Sequence, residues 1–358
     1  MPSTLPPRID VHSHFLPPFY RKALESTGNS NPDGMPAIPP WSPEAHLEMM
    51  ENANVTKSIL SISSPGTHIY PTDPQARKDL TRKCNAYAAD LKRRYPEKFG
   101  FWASLPLPSV EDALEEIDRA ISDGCDGFAL MPNYYGLYIG DAAFDPVFKK
   151  LDDLGATVFL HPTTPCMPSN SPDTYEGSTP ALPFGSRYPV PIFEFLFDTS
   201  RAVINLFYSE TISRYPNIHF VVPHVGGTLP PLITRFTVFG TLVPGVTPLD
   251  PETVRKQMQE QFSFDLAGTI FDGESGGRGQ LKAFVEGWDI SFKSLLYGSD
   301  FPFTNKGAVV MLGERMKDGL ECLFDEGERK AIYEENARRL LERKPRGSAR
   351  NGTEGDTN

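Results

Sequence analysis

Short runs of β-branched and aromatic residues recur along the chain, and each is followed by a stretch whose apolar positions fall at helical spacing. Eight such runs can be read: RIDVHSHF from Arg8, TKSILSIS from Thr56, FGFWASLP from Phe99, GFALMP from Gly127, TVFLHP from Thr157, IHFVVPHVG from Ile218, FSFDLAG from Phe262 and SLLYGSDFP from Ser294. The intervening segment SVEDALEEIDRAISDG sets Val110, Ala113, Leu114, Ile117 and Ile121 on one helical face. It opens at Ser109 and closes at Gly124, residue types suited to capping its two ends. Strand–helix alternation repeated eight times predicts an α/β fold, a (β/α)8 TIM barrel, because eight parallel strands close a sheet on itself. No low-complexity linker divides the pattern, so a single domain is expected over residues 1–343.

Two segments exceed a simple barrel. Residues 163–189 form a Pro/Ser/Gly-rich insertion after the fifth run, and a loop of that length predicts a lid over the barrel mouth. Residues 344–358 are polar and almost free of apolar side chains, which predicts a disordered tail. Composition narrows the partners. A formal charge of -11 argues against a general nucleic-acid binder, which would need a basic face, and an anionic substrate would need a local cation to overcome that field. No apolar run approaches a membrane span, and the N-terminus lacks the pattern of a secretory signal, so no membrane association and a cytosolic location are expected. Cys84, Cys125, Cys166 and Cys322 lie far apart and form no CxxC pair, which argues against a zinc ribbon or a disulfide scaffold.

The chemistry gathers at strand ends. His12 and His14 stand two apart in DVHSHF, so both imidazoles project from one side of the strand. His161 ends the fifth run, His224 ends the sixth and Asp300 ends the eighth, all at C-terminal ends, where barrel enzymes carry their active sites. Five potential ligands or proton carriers therefore converge on one mouth, and such nitrogen and carboxylate donors suit a divalent ion, with Zn²⁺ the first choice and Mn²⁺ chemically compatible. His46, His68 and His219 fall on a helix, a loop and the inside of the sixth strand, and receive no metal role. Aromatic residues crowd the same ends in FLPPFY, PNYYG and DFPF, which favours a flat substrate, and Phe15 and Phe301 are candidates to contact it.

In their order and spacing DVHSHF, FLHP, HVGG and GSDFP resemble the amidohydrolase superfamily, in particular its decarboxylase branch. The resemblance implies that His12, His14, His161 and Asp300 bind the metal and that His224 acts beside it. It also implies that Arg235, eleven residues after His224, contacts a substrate carboxylate across a homodimer interface. Binuclear members carry a bridging lysine at the end of strand four, where this chain reads GFALMPNYYG, so one metal is implied. A second substrate arginine of that branch has no counterpart before the second strand, where NANVTKS offers only Lys57. The activity implied is non-oxidative decarboxylation of a small salicylate-type aromatic carboxylic acid, with either Asp300 or His224 delivering the proton. The alternatives are a lactonase or amidase using the same metal, and a barrel that binds without catalysis.

Overall fold

The computed structural model describes residues 4–169, 178–271 and 280–343 of the chain. All eight runs become strands of one parallel sheet: β1 (Arg8–His14), β2 (Val55–Ser61), β3 (Phe99–Ser104), β4 (Gly127–Leu130), β5 (Thr157–Leu160), β6 (His219–Val222), β7 (Phe262–Asp265) and β8 (Leu295–Leu296). The sheet closes because the chain after β8 returns to β1. Val11 N donates to Tyr297 O at 3.0 Å, Asp300 N to His12 O at 2.8 Å and His14 N to Phe301 O at 2.7 Å. The result is the TIM barrel, and none of its helices is long and apolar enough to cross a membrane among the described residues. The tail over 344–358 and residues 170–177 of the insertion lie outside the described residues.

The core has two layers. Ile9, Val11, Ile59, Trp102, Ala129, Phe159, Val221 and Leu296 fill the barrel, and Ala337 and Leu340 of the last helix (Asn336–Glu342) plug its floor. A larger layer lies between the strands and the surrounding helices. Helix Val110–Ser122 shows how the second layer forms: Ala113, Glu116, Ile117, Ala120 and Ile121 are buried, whereas Val110 and Leu114 sit at its edge. Ser109 caps differently from the expectation, its hydroxyl donating to the Asp112 carboxylate at 2.6 Å instead of accepting from the helix backbone.

One irregularity sets up the site. Between Asp10 and Ser13, β1 advances three residues while its partner β2 advances two, from Ser58 to Leu60. Strict alternation would keep Ile9, Val11 and Ser13 on the inner side and turn both histidines outward. The bulge inserts one residue, so Val11 ends the apolar filling and His12 and His14 take the inner positions above it. Asp10 supports the distortion, its Oδ1 accepting the backbone N–H of His12 at 3.1 Å and of Ser299 at 3.0 Å.

Candidate metal centre and active site

His12 and His14 on β1, His161 just past β5 and Asp300 just past β8 converge at the C-terminal mouth, each offering a ligand atom within 4.8 Å of the others. Their hydrogen bonds fix which nitrogen faces inward. His12 Nδ1 donates to Asp265 Oδ2 at 3.0 Å, His14 Nδ1 to Ser61 O at 3.3 Å and His161 Nδ1 to Pro162 O at 2.7 Å. Each partner is an acceptor, so each Nδ1 carries the proton and each Nε2 presents a lone pair. Two of those lone pairs face Asp300 Oδ1, from His14 at 3.1 Å and from His12 at 3.5 Å. His12 Nε2 is buried and makes no hydrogen bond.

Lone pairs aimed at a carboxylate repel it unless a positive charge lies between them. The residues therefore fit a divalent ion, with one oxygen and three nitrogen donors. Electrostatics carry the same demand: burial disfavours charge on His12, yet Asp265, Asp300 and Asp10 together raise it to about 9. Burial likewise works to neutralise Asp300, but the neighbouring histidines hold it well below the usual carboxylate range. His14 and His161 are shifted downward, chiefly by burial.

His224 stands beside this cluster, its ring 5.1 Å from that of His12. Its Nδ1 donates to Ala267 O at 3.0 Å and its backbone N–H to Asp265 Oδ1 at 3.1 Å. Asp265 thus orients two histidines at once. His224 (φ 53°) and Asp300 (φ 57°) both hold left-handed backbone, a conformation costly for non-glycine residues and maintained by these bonds. The glycines of HVGG serve the same turn: a Cβ on Gly227 would lie 2.5 Å from Leu196 O.

A cavity of about 300 Å³ opens over the cluster, lined by His161, His224, Asp300 and Ser63 together with Met35, Ile192, Phe195, Ile270, Phe303 and Leu312. No lysine or arginine lines it among the described residues. No described residue of the insertion expected to form a lid, 163–189, lines this cavity; the residues flanking it do, Pro162 before it and Pro191, Ile192, Phe195 and Leu196 after it.

The two aromatic candidates are placed elsewhere. Phe15 is buried behind β1, stacked on Tyr87 with centroids 6.1 Å apart, and Phe301 packs on His46 at 5.0 Å. Each directly follows a residue that faces the cavity, so each turns into the strand–helix layer. Phe303, two residues beyond Phe301, returns to the wall and meets the His14 ring edge-on at 5.6 Å. Arg235 is exposed on helix Leu229–Phe239, its guanidinium 4.2 Å from the Phe239 ring centroid, outside the cavity of its own chain. Lys57 lies at the other end of the barrel and donates to Pro96 O at 2.9 Å. Two positions at the site went unread in the sequence. Asp265, buried beneath the histidines, carried the signal that revealed Asp300, a carboxylate ending an apolar strand, whereas Asp33, which lines the cavity, arrives on a loop with no such mark.

A closed barrel with three imidazoles and a carboxylate at its C-terminal mouth, under an apolar cavity, defines a mononuclear metal-site enzyme architecture. The chain belongs to the amidohydrolase family, whose model matches residues 9–343. Decarboxylase yanB of Aspergillus niger is 35% identical over 341 residues, 94% of this chain and 88% of that protein. The 6-methylsalicylic acid decarboxylase acuB of Aspergillus aculeatus is 33% identical over 351 residues, 96% of this chain and 98% of that protein. Among solved structures, the crystal structure of an amidohydrolase II is 31% identical with a TM-score of 0.78, covering 94% of this chain and 99% of that one.

Proposed function

We propose that the chain is a metal-dependent decarboxylase of a salicylate-type aromatic acid, with 6-methylsalicylate as the reference substrate, giving 3-methylphenol and CO₂ in the cytosol as part of secondary metabolism. The observation that carries this reading is the convergence of His12, His14 and His161 Nε2 on Asp300 at the floor of an apolar cavity. It is supported by the likeness to the two fungal decarboxylases.

His12, His14, His161 and Asp300 would hold one divalent ion, with zinc expected from the nitrogen-rich donor set. Bound there, it would supply the positive charge that anchors the substrate carboxylate and an ortho hydroxyl. That charge is otherwise missing from a chain of net charge -11.

Loss of CO₂ from an aryl ring leaves a carbanion unless the carbon bearing the carboxylate is protonated first. We assign that proton to Asp300. Asp300 lines the cavity beside the histidines and can pass to that carbon a proton it first takes from water in the mouth, after which the bond to the carboxylate breaks and CO₂ leaves. His224, with Nδ1 tied to Ala267 O, orients the substrate from its other nitrogen. Met35, Ile192, Phe195 and Phe303 exclude water and hold the ring flat.

Arg235 we place in the active site of a second copy. Around it Val238, Phe239, Leu242 and Val246 are exposed, and Phe184, Tyr188, Phe193 and Phe197 form an edge-to-face ladder that leaves Phe184 59% and Phe197 47% exposed. Apolar surface of this extent fits a homodimer interface. In a dimer, Arg235→Ala should raise KM about tenfold or more with little change in thermal midpoint. Light scattering that finds only monomer removes this part of the proposal. For the reaction itself, purified protein with its metal quantified is incubated with 6-methylsalicylate and, separately, with an aryl lactone. Stoichiometric CO₂ and 3-methylphenol are expected, and lactone consumption without CO₂ release overturns the reading in favour of a hydrolase.

A further inference from the structure

Side chains along β2 and the two residues beyond it alternate between the barrel interior and the surrounding helices. Ile59 belongs to the interior filling, Leu60 and Ile62 to the outer layer, and Ser61 turns inward beside His14. Ser63 is the next inward position, one layer above the histidine, and it lines the cavity. The neighbouring serines are engaged within the protein. Ser61 Oγ donates to Ser13 O at 3.3 Å and lies 3.0 Å from His14 Nδ1, and Ser64 Oγ lies 2.9 Å from Thr163 Oγ1. The Ser63 hydroxyl bonds to none of the described residues, although the residue is only 4% exposed.

The backbone that carries this hydroxyl is fixed: Ser63 O accepts the Gly66 N–H at 2.8 Å and the buried Tyr20 hydroxyl at 3.5 Å. Thr269 and Thr304 also line the cavity, but they are open to solvent, and of the three Ser63 alone is buried. Alanine would fill the same space with no hydroxyl to strip of water, so a need for a small side chain does not account for the serine. What remains is a donor facing whatever fills the cavity. An aromatic acid brings a carboxylate there, and no lysine or arginine lines the wall to meet it among the described residues. A carboxylate has room for about four donors, so a metal ion leaves lone pairs for Ser63 and for Arg235 of a second copy. A hydroxyl is also a neutral donor. Because CO₂ leaves without the charge that the hydroxyl pairs with, such a bond holds the bound acid and does not tie down the product.

We propose that Ser63 is a substrate-binding residue whose hydroxyl donates a hydrogen bond to the carboxylate of the aromatic acid. It makes the site prefer the acid to the phenol, which has no carboxylate to accept that bond. This inference rests on the decarboxylase reading above and adds to its site a residue that reading does not use.

The test compares metal-loaded wild type, Ser63→Ala and Ser63→Thr in three readouts: kcat and KM for 6-methylsalicylate by CO₂ release, affinity for 3-methylphenol by calorimetry, and thermal midpoint. Ser63→Ala should raise KM about tenfold with kcat unchanged or higher, since the lost bond is to a charged group that is present before CO₂ leaves. Its affinity for 3-methylphenol should match the wild type. Its thermal midpoint should not fall, because the hydroxyl has no partner in the described protein to lose. Ser63→Thr keeps the donor and should bring KM back towards the wild-type value. An unchanged KM in Ser63→Ala, or a loss of affinity that falls equally on the acid and the phenol, overturns the inference while the decarboxylase reading stands. If the metal-loaded wild type releases no CO₂ from 6-methylsalicylate, the decarboxylase reading falls and takes this inference with it.

Discussion

His219 and His224 lie five residues apart on either side of one strand, and they differ in everything except side chain. His219 opens β6 on the barrel floor, where its Nε2 lies 2.9 Å from Ser263 Oγ and its Nδ1 has no hydrogen-bond partner. Burial pushes it down to about 3, so it is a neutral packing residue. His224 lies just past the other end, in left-handed backbone, tied to Asp265 and Ala267 and facing the cavity. A strand of four residues thus sorts identical chemistry into stability at its start and reactivity beyond its end. The floor repeats the lesson with Arg8, whose buried guanidinium lies 4.8 Å from the Tyr297 ring and 5.6 Å from that of Tyr333. It is the mouth that holds the opposed lone pairs of His12, His14 and Asp300.

Substitutions should separate the two ends. The largest effect is expected from Asp300→Asn. Turnover should fall on the order of 10³-fold and metal content by mass spectrometry should drop, with the thermal midpoint nearly unchanged; a variant retaining full activity and full metal would break the assignment. Next comes Asp265→Asn, which touches no substrate. Loss of its bond to His12 should weaken metal affinity about 10- to 100-fold in a competition titration, and saturating metal should restore most of the turnover. Unaltered metal affinity would show that His12 orients without it.

The smallest effect belongs to the buried histidines outside the metal cluster and carries a sign. His46, His68 and His219 are each lowered by burial to about 3, below the unfolded value near 6.5. The fold favours their neutral forms, so their contribution is complete above pH 6.5 and is lost as pH falls from there towards 3. Each costs about 1.4 kcal/mol per pH unit within that window, and the thermal midpoint should decline from pH 6.5 to pH 5. His219→Gln should make that decline shallower while CO₂ release at neutral pH stays close to the wild-type rate. An equal decline in the variant would count against the floor assignment.

The parts legible in the sequence were those fixed by local periodicity. Eight apolar runs gave eight strands, and His161 and Asp300 declared themselves by ending such runs. Adjacency in the chain misled for Phe15 and Phe301, because period two sends the neighbour of an inward residue outward. Asp265 was readable by the rule that found Asp300. Asp33 was not, since its place in the wall depends on a loop docking against Val190–Ile192, more than 150 residues away in the sequence. The insertion showed its length, but its length alone did not reveal that the cavity would be bordered by the residues flanking it, Pro162 and Pro191, Ile192, Phe195 and Leu196.

The added residue in the first strand has a practical consequence for anyone borrowing this centre. Grafted in the same register onto a barrel whose first strand runs uninterrupted, the His-x-His segment would aim both rings at the surrounding helices. The transplant would preserve every ligand yet assemble nothing, so the miscount between Asp10 and Ser13 has to travel with the histidines.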